Sequence, residues 1–174
     1  MMKKSHLTIW LLLGGLAAAM GLLLLINITT VDERKALEAN WVVIIKVDGA
    51  EVARLGLEEI KAAGEVNFNC IMDTSTTGPE KVNFTGVPLK KLLDDHRIYQ
   101  EGKGKVTCTA LDNYASAFSM EELQKEGNAY LCYARDGQPL GTKAEGGMGP
   151  YLVVLTQDTF SSRWCKYLME IDIH

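Results

Sequence analysis

The chain has 174 residues, with 22 acidic and 18 basic side chains and a formal net charge of −4. That length holds one domain and an appendage. All the acidic residues, but neither Lys3 nor Lys4, lie beyond Ile28, and the longest basic cluster there is Lys90-Lys91. This balance argues against a nucleic-acid partner and against binding to an anionic lipid surface.

Leu7 to Ile28 contains no charged residue. At about 1.5 Å per residue this run spans roughly 33 Å, enough to cross a bilayer core. Lys3 and Lys4 precede it, while Asp32, Glu33, Arg34 and Lys35 follow it and cancel. The positive-inside bias therefore predicts a cytoplasmic segment 1–6, a transmembrane anchor 7–28 and an exported remainder in the cell membrane. A cleaved signal peptide is the competing reading, with Ala17-Ala18-Ala19 as a small-residue site. Leu22 to Ile26 prolongs the apolar run past that site, beyond an h-region of about 7–15 residues, which favours a retained anchor.

Residues 29–40, "TTVDERKALEAN", are polar and predict a helical or irregular stalk. Residues 41–174 then form one exported domain, large enough for its own core. "WVVIIKV" is rich in β-branched residues and leads into Asp48-Gly49, which predicts a strand and a tight hairpin turn before "AEVARL". Leu57 to Ala63 predicts a short helix stopped by Gly64. "EVNFNCIM" reads as a strand, residues 73–81 as a polar loop and "VNFTG" as a returning strand. "VPLKKLLDDH" predicts a helix with Pro88 near its first turn and Leu89, Leu92 and Leu93 on one face.

"KVTCTAL" alternates and predicts a half-buried strand. Ser119 and Glu122 predict a capping box for the helix "MEELQKE". "NAYLCYA", an Asp136-Gly137 turn and "QPL" predict a second hairpin. "GTKAEGGMG" is a glycine-rich loop. "PYLVVLT" predicts a strand buried on both faces, and "WCKYLMEIDI" a closing strand. Strands with short helices placed irregularly between them predict an α+β class with mixed β-sheets, preceded by the one N-terminal helix.

Four cysteines, Cys70, Cys108, Cys132 and Cys165, each fall in a predicted strand. They allow three disulfide pairings, and as free thiols they also pack as small apolar residues. None has C-x-x-C spacing, so no zinc site is expected. His96 falls at a helix C-terminus, where a cap that favours the dipole is expected. Tyr114, Phe118, Tyr151 and Trp164 can line a pocket or pack in a core. The loop Asp73 to Thr77 is polar enough to touch a small ligand, or to be a solvated turn.

Six stretches in this order resemble the sulfite-oxidase-type molybdopterin-binding domain of oxidoreductases. They are "IIKVDGAEV", the aromatic-x-Gly-Val-Pro-Leu-x-x-Leu-Leu run from Phe84 to Leu93, "VTCTALDNYASAFSMEEL", "AYLCYARDGQPL", the glycine loop with "GPYLVVL", and "KYLMEI". The resemblance implies that fold over residues 41–174. It also implies a molybdenum–molybdopterin cofactor, oxidoreductase activity and electron transfer to a membrane redox partner. By the same resemblance Cys70 is the molybdenum ligand. Asn113, Tyr114, Gly146, Gly147, Gly149 and Lys166 then lie near the pterin. The chain departs from the family pattern after the cysteine, where Ile71, Met72 and Asp73 replace a polar segment. It departs again after the glycine loop, where Leu152 replaces an arginine. The alternative is a cofactor-free ligand- or protein-binding module that uses the same cleft.

Overall fold

The computed structural model describes residues 3–174, with side chains from Ile9 onward. Residues 1 and 2 of the expected cytoplasmic segment lie outside the described residues, as do the side chains of Lys3 and Lys4. The chain divides into two compact units, Met1–Ala36 and Leu37–His174, each described by itself.

The first unit is helical. Helix α1 runs Lys3–Ala39, and its apolar stretch is long enough to cross a membrane. Apolar side chains such as Trp10, Leu11, Leu16 and Leu23 are exposed along it. Residues 29–39, expected as a helical or irregular stalk, continue the helix. Thr29 and Thr30 hydroxyls bond back to the carbonyls of Leu25 and Ile26.

The second unit is α+β and holds two sheets. Its strands are β1 (Val42–Val47), β2 (Ala50–Gly56), β3 (Val66–Met72), β4 (Glu80–Pro88), β5 (Lys105–Ala110), β6 (Ala115–Ser119), β7 (Ala129–Arg135), β8 (Gln138–Pro139), β9 (Leu152–Leu155) and β10 (Leu168–Ile173). Three short helices are interspersed: α2 (Leu57–Ala62), α3 (Leu89–Asp95) and α4 (Met120–Gln124). Sheet A has the order β2-β1-β10-β5-β6 and is mixed, since β1 and β10 run parallel. Sheet B is antiparallel in the order β3-β4-β7-β8, with β9 also on β7.

Most local expectations hold for the expected reasons. Asp48-Gly49 and Asp136-Gly137 both take positive φ, the geometry that closes a two-residue hairpin on twisted strands. The Ser119 hydroxyl accepts from Glu122 N at 3.1 Å, and Ser119 N donates to the Glu122 carboxylate at 2.8 Å, completing the capping box. Leu89, Leu92 and Leu93 are buried on the inner face of α3, and all four residues of β9 are buried.

Three features differ from the sequence reading. Strand β4 extends to Pro88, so α3 starts two residues later than expected, at Leu89. Strand β6 was not expected, because Ala115, Ser116 and Ala117 carry little strand signal; it forms by pairing with β5. The closing strand starts at Leu168 and not at Trp164. Ser161–Arg163 make a 3₁₀ turn, and Tyr167 takes φ +56. Trp164 instead turns inward, where its Nε1 donates to the Leu155 carbonyl at 3.1 Å.

The core draws on both sheets. Val43 and Ile45 of β1 and Ile171 of β10 join Phe84 and Val87 of β4 and Leu131 of β7 in one buried cluster. Leu37 packs with Ile44 and Met169 in a smaller one.

Candidate ligand cleft

Three segments converge at one edge of this core: the loop after β3, the β5–β6 turn, and the stretch between β9 and β10. Ser161 joins the first to the third, since its N and Oγ both donate to the Asp73 carbonyl, at 2.9 and 2.5 Å. Tyr114 joins the second to the third, its Oη donating to the Ser162 carbonyl at 2.8 Å. Between them lies a cleft of about 320 Å³, walled by Thr74, Ser75, Tyr114, Trp164, Lys166 and Tyr167 among others. Of the expected site residues, Tyr114 and Lys166 thus meet. Asn113 sits in the adjoining turn at φ +64, exposed, and is not part of the wall.

The charges around the cleft are mostly paired. Lys143 Nζ lies 2.7 Å from Asp112 Oδ2, which holds the Asp112 carboxyl below its ordinary value and raises Lys143. The same ammonium lies 5.0 Å from the Tyr167 ring centroid. Arg163 is clamped by Asp158 and by Glu122, at 2.6 Å from Glu122 Oε1. These two carboxylates push Arg163 further up. Lys166 lines the cleft and makes no ion pair among the described residues.

Cys70 is not part of the cleft wall. It shares the inward face of β3 with Phe68 and Met72, opposite Val82. Phe68 stacks on Tyr130 at 4.1 Å, and Cys70 packs half-buried beside this apolar group. Burial pushes its thiol up to about 11, so it is protonated at neutral pH. Cys108, Cys132 and Cys165 are buried, and all four cysteines are free.

The glycine loop packs on its own chain. The amides of residues 145–149 all donate within the loop or to Leu140 and Gly141: Gly147 N to the Thr142 carbonyl at 2.9 Å, Met148 N to Leu140 at 2.9 Å and Gly149 N to Gly141 at 2.7 Å. A Cβ on Gly147 would stand 2.2 Å from the Leu140 carbonyl oxygen. The glycine is needed there for the approach of two backbones. Gly146, Gly147 and Gly149 are therefore not placed on the cleft wall.

These donors do not fit a molybdenum–pterin with a pyrophosphate tail. That anion needs several cationic or amide donors, and the loop amides, Lys143 and Arg163 are engaged elsewhere. Of the aromatic candidates, Phe118 and Tyr151 belong to the core, while Tyr114 and the edge of Trp164 reach the cleft. Sequence reasoning missed Asp112, in the β5–β6 turn, and Ser162 and Tyr167, which lie in the turns that replace the first part of the expected closing strand.

The family model for the oxidoreductase molybdopterin binding domain matches residues 29–174. The chain belongs to that family. A comparison with curated proteins returns no match. Among solved structures, the fold matches the sulfane dehydrogenase SoxCD from Paracoccus pantotrophus at a TM-score of 0.63 and 14% identity. The match covers 77% of this chain and 38% of that one, so the chain spans well under half of its structural neighbour. At that identity the likeness concerns the fold, and it agrees with the α+β architecture expected from the resemblance.

Proposed function

We propose that the chain is a membrane-anchored, extracytoplasmic member of this oxidoreductase family whose domain works as a ligand-binding module. In this reading the cleft takes a small anionic ligand on Lys166 and operates without a molybdenum centre. The observation that carries it is the state of the donors. The amides of 145–149 and the Lys143 and Arg163 cations are bound within the protein, whereas Lys166 lines the cleft and makes no ion pair among the described residues. The apolar helix α1, with Lys3 and Lys4 ahead of it, supports the anchor and an exported domain. The association with redox chemistry rests on the family.

A second reading is a molybdenum–pterin oxidoreductase that passes electrons to a membrane partner. Family membership favours it, as does the half-exposed Cys70 on the strand ahead of the Phe84–Leu93 run. One experiment separates the two. The full chain is purified from a host that makes molybdopterin, and molybdenum and pterin are measured. We expect folded protein with neither in stoichiometric amount. Stoichiometric molybdenum that disappears in Cys70→Ser establishes the oxidoreductase and overturns our reading.

A further inference from the structure

A second cavity, of about 300 Å³, shares no residue with the cleft. It lies among Trp41, helix α2, the start of β3 and the β7–β8 hairpin. Two aromatic residues wall it. Tyr133 is buried, and its hydroxyl donates to Glu65 Oε2. Burial and the Glu65 carboxylate both raise the phenol, so it stays a donor at any physiological pH. Trp41 is held in place from behind: its ring meets Tyr151 edge-on at 6.1 Å, and its carbonyl accepts from Tyr151 Oη at 2.6 Å.

Both signs of charge line this cavity. Glu65 is exposed and is oriented by Tyr133 through one oxygen, while the other has no partner among the described residues. Lys61 Nζ stands 5.8 Å from the Tyr133 ring centroid. Its one ion pair, 3.2 Å to Glu58, is with a carboxylate whose side chain is 86% exposed, so water competes for it. A cation alone would meet Lys61 and an anion alone would meet Glu65. A molecule that carries both ends answers both, and aromatic faces suit its ammonium end.

We propose that this cavity binds a small zwitterionic solute, its ammonium end beside Glu65 and the Trp41 ring and its carboxylate end at the Lys61 ammonium over Tyr133. The site is independent of the cleft and of its occupant.

The test is calorimetric titration of the full chain, in a non-ionic detergent, with glycine betaine. Tetramethylammonium chloride and sodium acetate serve as the two half-ligands. Saturable betaine binding is expected. Loss of one charge-assisted contact weakens it about tenfold in Glu65→Gln and again in Lys61→Gln. Both positions are solvent-accessible, and unchanged thermal melts of the variants confirm folding. Betaine binding that is lost in Lys166→Gln would place the solute in the cleft and overturn the proposal. Absence of saturable binding, binding unmoved by both substitutions, or tetramethylammonium binding as tightly as betaine each overturns the proposal.

Discussion

The glycine loop 141–149 and the segment 161–167 both carry residues that the family resemblance marks as pterin contacts, yet they end in opposite states. The loop is closed on itself, with the amides of 145–149 engaged and Gly147 and Gly149 pressed against Leu140 and Gly141. The segment lines the cleft at Lys166, which makes no ion pair among the described residues. A glycine allows close approach to anything, a ligand or the chain's own backbone, so its presence does not say which. Lys166 has no such internal partner among the described residues, so its charge is open to water or to an entering anion.

That contrast can be broken most sharply at Gly147. The atoms that a new Cβ would strike are backbone, which cannot turn aside. Gly147→Ala is expected to cost about 3 kcal/mol of stability in chemical denaturation, the scale of overpacking plus displaced backbone. A near-neutral result would mean that the loop is free to open toward a ligand.

The next test concerns Cys70. Its thiol is raised to about 11 by burial. The neutral form dominates below that pH, so alkylation at pH 7 should be roughly a hundredfold slower than for an ordinary thiol. Mass spectrometry of iodoacetamide-treated protein should show the rate still climbing beyond pH 9. A plateau near the ordinary thiol value would return Cys70 to the open side of the comparison.

Arg163→Ala should cost less, about 1 kcal/mol, because the partners remain partly solvated. The pH dependence has a definite sign. Arg163, together with the Ser119 amide, holds the Glu122 carboxyl below its ordinary value. The stabilisation is therefore present at neutral pH and fades as pH falls through and below the ordinary carboxylate range, about 4. The difference between wild type and Arg163→Ala should shrink in acid, as measured by urea midpoints at pH 7 and pH 3. Lys166→Gln has the smallest expected effect on stability, within about 0.5 kcal/mol, since it breaks no contact within the protein. A larger loss would show that Lys166 is a structural residue and not the open end of the cleft.

Much of the fold was legible because its signals are local. The β-branched run of β1, the two Asp-Gly turns, the leucines of α3 and the Ser119–Glu122 box each act within a few residues. Strand β6 was not legible, since Ala115 to Ala117 become a strand only through the neighbour they pair with. The site divides in the same way. The meeting of Tyr114 with Lys166 follows from the resemblance. The engagement of the loop amides by Leu140, Gly141 and Thr142 is a tertiary outcome without a mark in the local sequence, whereas strand alternation already puts Cys70 on one face with Phe68.

The place of β10 carries a consequence for how the domain is made. It lies inside sheet A between β1 and β5, and Lys46 of β1 meets Glu170 of β10, a partner 124 positions away, at 2.6 Å. A ribosome therefore releases β1 long before the strand that belongs beside it exists. Through that interval the β1–β2 hairpin has a bare apolar edge, open to pairing with a neighbouring nascent chain. Sheet A can close only when residues 168–173 arrive, so β1 waits for β10 to lock it in place.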